Sequence, residues 1–201
     1  MAISLSTLQR LPAYLRILKS LEDEEYVSST LIAQKLDLSN IQVRKDLACV
    51  STSEGKARLG FNREKLIEDI EAFLEIDNTT DVIVVGAGRI GQALMQYKNF
   101  ENNVNIIMGF DNDLRKCDNK KVFPLDKLQS LVNRMNIHIA ILTVPAESAQ
   151  EVCDLLVRVG IKGIWNFTTV HLDVPEDVIV KNEDLSASLM LLVKQLRKEN
   201  E

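Results

Sequence analysis

The stretch VIVVGAGRIGQAL, residues 82–94, constrains the fold of this chain more than any other. Four β-branched residues run into three glycines, Gly86, Gly88 and Gly91, and the pattern then turns helical. A continuous apolar run of that kind suits a strand covered on both faces, as in a parallel sheet. Gly86 permits a tight turn, Gly88 lets backbone approach a pyrophosphate, and Gly91 lets the following helix pack on the strand. Ala87, Arg89 and Ile90 complete the turn, whose helix start offers free N–H groups to phosphate. Glycine spacing alone is weak, but a strand before it and a helix after it make a dinucleotide-binding turn. The plainer reading is the same turn serving another nucleotide, or none.

The residues after it fit an α/β domain. VNIIMGFD ends in Asp111, twenty positions after Gly91. A carboxylate there accepts hydrogen bonds from ribose hydroxyls and repels a 2′-phosphate, which favours NAD(H) over NADP(H). Arg115 and Lys116, close by, could weaken that preference, though charges so placed are more often solvated at the surface. IHIAILTVP, IKGIWNF and DVIVKNED are further short apolar runs separated by helical or loop stretches, the pattern of a doubly wound parallel sheet. LTVPA places Thr143, Val144 and Pro145 at a strand's carboxyl end, where such sheets bind ligands; this suits the nicotinamide side of the pocket.

The N-terminal part follows another period. Leu8, Leu11, Leu15, Leu18 and Leu21 recur at three or four residues, predicting a helix within 6–22 that begins near Pro12, where proline is tolerated. Ser28 or Ser29 caps a short helix, and Ser39 with Gln42 has capping-box spacing for the next. Two short helices joined by a tight turn form a helix-turn-helix candidate. In the second, Val43, Leu47 and Val50 share one side, Lys45 lies nearly opposite, and Gln42 and Arg44 flank it. That arrangement suits a helix packed on a core with amide and basic groups facing a groove of double-stranded DNA. Lys56 and Arg58, in the Ser/Gly-rich loop 51–61, suit phosphate contacts. The net charge is −5, yet residues 41–63 hold five Lys or Arg against two Asp or Glu. So few phosphate contacts per subunit point to a dimer. A helix over 64–76 and the linker DNTT close this domain, and Leu185, Leu189, Leu192, Val193 and Leu196 form one stripe of a last helix.

Candidates for catalysis are few. His138 falls inside a predicted central strand and His171 in a surface loop. No Tyr-x-x-x-Lys pair follows the strands, and no segment is left to build a substrate domain, so no enzyme is expected. Cys49, Cys117 and Cys153 match neither metal-ligand nor disulfide spacing. No apolar run reaches membrane-spanning length and the N-terminus does not resemble a signal peptide, so a cytoplasmic protein with no metal and no membrane partner is expected. The rival readings are a small NAD(H)-dependent oxidoreductase, a CoA-binding Rossmann module, and a Rossmann protein that has lost DNA binding.

Taken together, LQRLPAYLRILKSL, VSSTLIAQKL, IQVRKDL, GAGRIG, GFD, AILTVPAESAQ, GIKGIWNFT and NEDLSASL resemble the Rex-type redox-sensing transcriptional repressors of bacteria. The resemblance implies an α/β chain with a winged helix-turn-helix domain over 1–78 and a Rossmann domain over 79–183. It implies that the helix of 184–201 is exchanged in a homodimer. It further implies release from operator DNA when NADH binds, so that the protein reads the NADH/NAD⁺ ratio. Gly86, Gly88, Gly91 and Asp111 match the family's fingerprint, and Thr143, Val144 and Pro145 its nicotinamide strand. Tyr97 matches a tyrosine that approaches the partner's nicotinamide. Phe167 and Asp184 join the cofactor set, Arg10 and Asp184 match an interdomain pair, and Arg44 with Lys45 the recognition-helix basic pair. The chain departs from the family at CVSTSEGKARLGF, where an aromatic, glycine-rich stretch ending Gly-x-Gly-Tyr is usual. It also departs at NFTT, where proline usually ends the motif, and at Ser188, where an acid is usual.

Overall fold

The computed structural model describes residues 3–53, 55–56, 59–75, 79–97 and 104–198. The chain divides into two compact units, Met1–Asn78 and Thr79–Glu201.

The first unit comprises α1 (Leu5–Lys19), β1 (Tyr26–Val27), α2 (Ser29–Leu36), α3 (Asn40–Val50), β2 (Phe61–Asn62) and α4 (Arg63–Phe73). Leu11 and Leu18 of α1, Ile32 of α2, Val43 and Leu47 of α3, and Leu66 and Ile70 of α4 meet in one buried core. The first helix does not wait for Pro12. It starts at Leu5, and the Ser4 hydroxyl accepts the Thr7 N–H at 3.1 Å. Proline inside a helix costs about 3 kcal/mol. Leu11, Leu15 and Leu18 are all buried around it, and each such side chain returns about 1.5–3 kcal/mol. Packing therefore wins over propensity.

Ser28 caps α2 by accepting the Leu31 N–H at 3.1 Å. Ser39 occupies the equivalent position before α3 but makes no side-chain cap, so the expected capping box does not form. Two antiparallel pairs, Tyr26 with Asn62 and Val27 with Phe61, make a small hairpin base. The chain enters β2 through Gly60 at φ +93°, where a Cβ would stand 2.4 Å from the Val27 carbonyl oxygen. Only glycine fits that return.

The second unit contains β3 (Thr80–Val85), α5 (Arg89–Met95), β4 (Val104–Asp111), β5 (Val122–Pro124) and α6 (Leu128–Met135). It continues through β6 (Ile139–Leu142), α7 (Ala149–Arg158), β7 (Gly163–Asn166), β8 (Ile179–Asn182) and α8 (Leu185–Lys198). The six strands are parallel in the order β5-β4-β3-β6-β7-β8. The order reverses between β3 and β6, which is where a doubly wound sheet opens its ligand crevice. Val82 to Val85 are buried on alternating faces of β3.

The two faces of the sheet are covered unequally among the described residues. On one, eighteen buried residues from the strands, α6, α7 and adjoining loops form a continuous core. On the other, the core cluster is Val82, Val84 and Ile141, with Leu94, Met95, Trp165 and Phe167 packed partly around them.

The sequence patterns have no counterpart to β5, a three-residue strand ending in proline and too short to show a period. One expectation needs correction. His138 does not lie within β6 but just before it, and is exposed. Its carbonyl oxygen accepts the N–H groups of Lys162 and Gly163 at 2.8 and 3.0 Å, so the backbone works there and the imidazole does not. His171 is exposed in a loop. No helix among the described residues is long and apolar enough to cross a membrane.

Candidate functional site

The glycine turn joins β3 to α5. Gly86 sits at φ +103°, and a Cβ on it would lie 2.6 Å from the Thr143 carbonyl oxygen. A Cβ on Gly91 would lie 2.0 Å from the Gly86 carbonyl oxygen. Both are glycine because the protein itself presses on them. Gly88 differs: it adopts ordinary extended dihedrals, and a Cβ there would meet no atom within 4 Å. No atom of the fold crowds position 88, which leaves the backbone there open to approach from outside.

That backbone borders a cavity of about 560 Å³ beyond the carboxyl ends of β3, β4 and β6. Gly86, Gly88, Asp111, Thr143, Val144 and Pro145 line it, so six residues read from sequence converge there. Asp111, 4% exposed, is held by three donors. Its Oδ2 accepts the Ala87 N–H at 2.8 Å and Lys116 Nζ at 3.0 Å, and its Oδ1 accepts the Asp113 N–H at 2.8 Å. A carboxylate offers about four acceptor positions, so Oδ1 keeps one for a hydroxyl. Thr143 turns its hydroxyl inward and donates to the Gly86 carbonyl oxygen at 2.7 Å. This pins the glycine turn to the end of β6.

Several site residues escaped the sequence reading. Lys116, taken for a solvated charge, pairs with Asp111 at the cavity wall. Val152, Leu155 and Arg158, on one face of α7, close the far side. The i, i+3 spacing of Val152 and Leu155 on a helix following LTVPA was the available signal.

Other expected residues lie apart from the cavity wall. Arg89 and Ile90 are exposed on α5, and Tyr97 follows that helix with half its surface exposed. Phe167 stacks edge-on against Trp165 at 4.6 Å between ring centroids. Asp184 accepts the Ala187 N–H at 2.8 Å and so caps α8. Among the described residues, no group of three or more His, Cys, Asp or Glu side chains is placed to hold a metal ion.

In the first unit, α3 buries Val43, Asp46, Leu47 and Val50 and exposes Gln42, Arg44 and Lys45. Asp46 was not anticipated. It is 5% exposed and accepts from Arg10 Nε at 2.8 Å, Arg10 Nη2 at 3.0 Å, the Tyr14 hydroxyl at 2.7 Å and the Thr7 hydroxyl at 3.0 Å. Burial alone would raise its pKa, but Arg10, Tyr14 and Thr7 together hold it below the ordinary carboxylate range. Burial, and then the bond to Asp46, push the Tyr14 phenol up to about 12. Gln42 turns its amide oxygen to Arg10 Nη2 and Nη1 at 3.1 and 3.2 Å. Arg10 is thus tied within its own unit, to the helix that carries Arg44 and Lys45. Ser39 stands exposed at the start of α3, Lys56 is exposed in the following loop, and Arg58 lies outside the described residues.

Comparison with known proteins adds the family. A family model described as a CoA binding domain matches residues 77–170, and one described as a putative DNA-binding protein N-terminus matches residues 2–48. A redox-sensing transcriptional repressor Rex of Treponema denticola is 42% identical over 193 residues, covering 92% of this chain and 91% of that protein. The crystal structure of RSP in complex with β-NAD⁺ and operator DNA superposes with a TM-score of 0.90 at 34% identity, over all of this chain and 95% of the other. The RSP complex with β-NADH gives 0.88 at 34% identity, over all of this chain and 97% of the other. The Treponema protein is named a repressor, and a further crystal structure, at 34% identity and a TM-score of 0.87 over all of this chain and 96% of the other, names RSP a Rex-family repressor. With that identity along nearly its whole length, the chain belongs to the Rex family of redox-sensing transcriptional repressors.

Proposed function

We propose that this protein binds double-stranded operator DNA as a homodimer in the cytoplasm and is released when NADH enters the cavity beside Gly88, so that it reports the NADH/NAD⁺ ratio. The observation that carries the proposal is Gly88 itself. A glycine that no neighbouring atom requires stands at the mouth of a cavity walled by Asp111 and Thr143–Pro145. These residues fit a dinucleotide. The Gly86–Gly91 turn takes the pyrophosphate, the remaining acceptor on Asp111 takes a ribose hydroxyl, and Val152 with Leu155 offer an apolar surface to the adenine.

The bound cofactor supplies the signal through its ring, neutral and more apolar when reduced, cationic and planar when oxidised. Val144 and Pro145, joined in the dimer by the partner's Tyr97, give that ring an apolar wall. Burying an unpaired charge there is costly, so the wall favours the reduced form. Only a difference in affinity between the DNA-competent and incompetent arrangements moves the equilibrium.

The dimer finds support in α8, where Leu189, Met190 and Leu191 are 63, 70 and 64% exposed. Exposed apolar side chains in that number mark an interface. In this reading 184–201 is the exchanged segment, and Asp184 of the partner subunit joins Arg10. Asp46 and Gln42 already occupy four of the five guanidinium N–H groups, so Asp184 adds to the Asp46 pair and does not replace it. Arg44 and Lys45, with Ser39, Gln42, Lys56 and Arg58, face DNA.

The test is operator binding during an NADH titration, with NAD⁺ as the comparison. Affinity falls as NADH saturates; unchanged affinity at saturation would overturn the sensor reading. The CoA-binding match over 77–170 supports a second reading, in which CoA is the ligand. Calorimetry with CoA and with NADH separates the two.

A further inference from the structure

We propose that Tyr26 is a positioning residue for DNA: it holds Lys56 so that the lysine meets a backbone phosphate. The inference rests on α3 and the loop of 51–61 being the DNA face. It concerns the stretch where this chain departs from its family's usual sequence.

The loop is anchored at both ends. At its start, buried Asp69 accepts the Thr52 N–H and the Thr52 hydroxyl, each at 2.7 Å. At its far side, Lys56 pairs through its backbone with Gly60, the Lys56 N–H reaching the Gly60 carbonyl oxygen at 2.8 Å. The Lys56 side chain then reaches back over β1. Its ammonium donates to the Tyr26 hydroxyl at 2.6 Å and lies 4.8 Å from the centroid of the same ring. Tyr26 is half-buried and fixed by its pairing with Asn62.

A free lysine swings through many rotamers, and ordering it on a phosphate costs entropy. One held by a hydroxyl has lost part of that freedom before DNA arrives. An ammonium has three donors, and Tyr26 uses one. The bond to Tyr26 also raises the Lys56 pKa, so the charge persists.

The groove that Lys56 faces suits an anion. It holds about 800 Å³ between the start of α2, α3 and the loop. Among the described residues that line it, Lys56 and Arg44 supply the cations, Ser29, Thr30 and Thr52 supply hydroxyls, and none is acidic. Glu25 acts on Lys56 through space without lining the groove. Phosphate contacts of this kind carry no base information, so they register with any sequence.

The test uses the full-length protein without NADH and a short mixed-sequence DNA duplex, with affinity followed against salt. Lys56→Gln makes the slope of log affinity on log salt shallower by about 0.9 per subunit, one phosphate contact. Tyr26→Phe, which removes only the hydroxyl, shifts the slope the same way and weakens low-salt binding about three-fold, and in the Lys56→Gln background it adds nothing. Lys56→Arg keeps the original slope. The thermal midpoint is read beside each slope, and the proposal needs the slope to change while the midpoint stays. It is overturned if Tyr26→Phe leaves the slope alone, if its loss simply adds to that of Lys56→Gln, or if only variants with a lowered midpoint respond. The reading beneath it fails separately. If Arg44→Ala with Lys45→Ala leaves duplex affinity unchanged, α3 is not the DNA face; if that pair abolishes binding while Tyr26→Phe is inert, only the role of Tyr26 is lost.

Discussion

Asp46 and Asp111 are each almost wholly buried and each takes a cation, Arg10 in one case and Lys116 in the other. Their remaining partners differ. Asp46 is saturated by side chains from α1, so its four bonds join two helices and leave nothing for a ligand. Asp111 is held mainly by backbone N–H groups of its own crevice and keeps an acceptor position at the cavity wall. A buried carboxylate thus serves architecture when side chains fill it, and serves recognition when backbone orients it and one lone pair stays open.

The comparison breaks most visibly at Asp46. Asp46→Ala leaves Arg10 and the Tyr14 hydroxyl without their acceptor, and removing one partner of a buried pair costs about 3–5 kcal/mol. The first unit then unfolds at lower denaturant and DNA affinity is lost, while NADH binding by the second unit persists. Loss of both together would show that the two units are not independent. Asp111→Ala should do the reverse. It leaves the Ala87 N–H unpaired and removes the ribose acceptor, costing about 1–3 kcal/mol, or about five- to a hundred-and-fifty-fold in NADH affinity by calorimetry, with DNA binding retained.

The smallest effect is the response to pH. The folded-state pKa of Asp46 is depressed, so its contribution to stability is present above its unfolded value, about 4, and is lost as pH falls through the lower folded value. The midpoint of the first unit should drop below that pH, and Asp46→Asn should flatten this limb. Tyr14 adds an alkaline limb of opposite sense. Its phenol is raised to about 12, so its share is present below about 10 and lost as pH climbs toward 12. Asp113 and Asp118 are drawn down to about 2, but Asp118 is exposed and Asp113 sits at the surface beside an exposed Arg115, so solvent screens both and the second unit should show the weaker acid limb.

Legibility in the sequence followed the same division. Glycine spacing and a terminal aspartate are local signals, and they located the turn and Asp111 before any geometry was known. Asp46 was invisible because a charged residue on a helix reads as solvent-facing. Only the tertiary approach of α1 brings three donors to it from Thr7, Arg10 and Tyr14, more than thirty positions away. Lys116 was misread for a similar reason, since its partner is decided by how the chain leaves β4. Pro12 shows propensity giving way to packing, and Ser39 shows a capping pattern present in sequence but unused, with Gln42 drawn to Arg10. The short strand β5 carries too few residues for any period to register.

The glycine at 88 has a consequence for how sequences of this kind drift. A lineage that stopped binding its ligand would still be obliged to keep Gly86 and Gly91, because both are hemmed in by carbonyl oxygens of the chain. No atom of the fold crowds position 88, and a serine there would fit as the cap of α5. Among descendants of such a protein, that one position records whether the cavity is still in use.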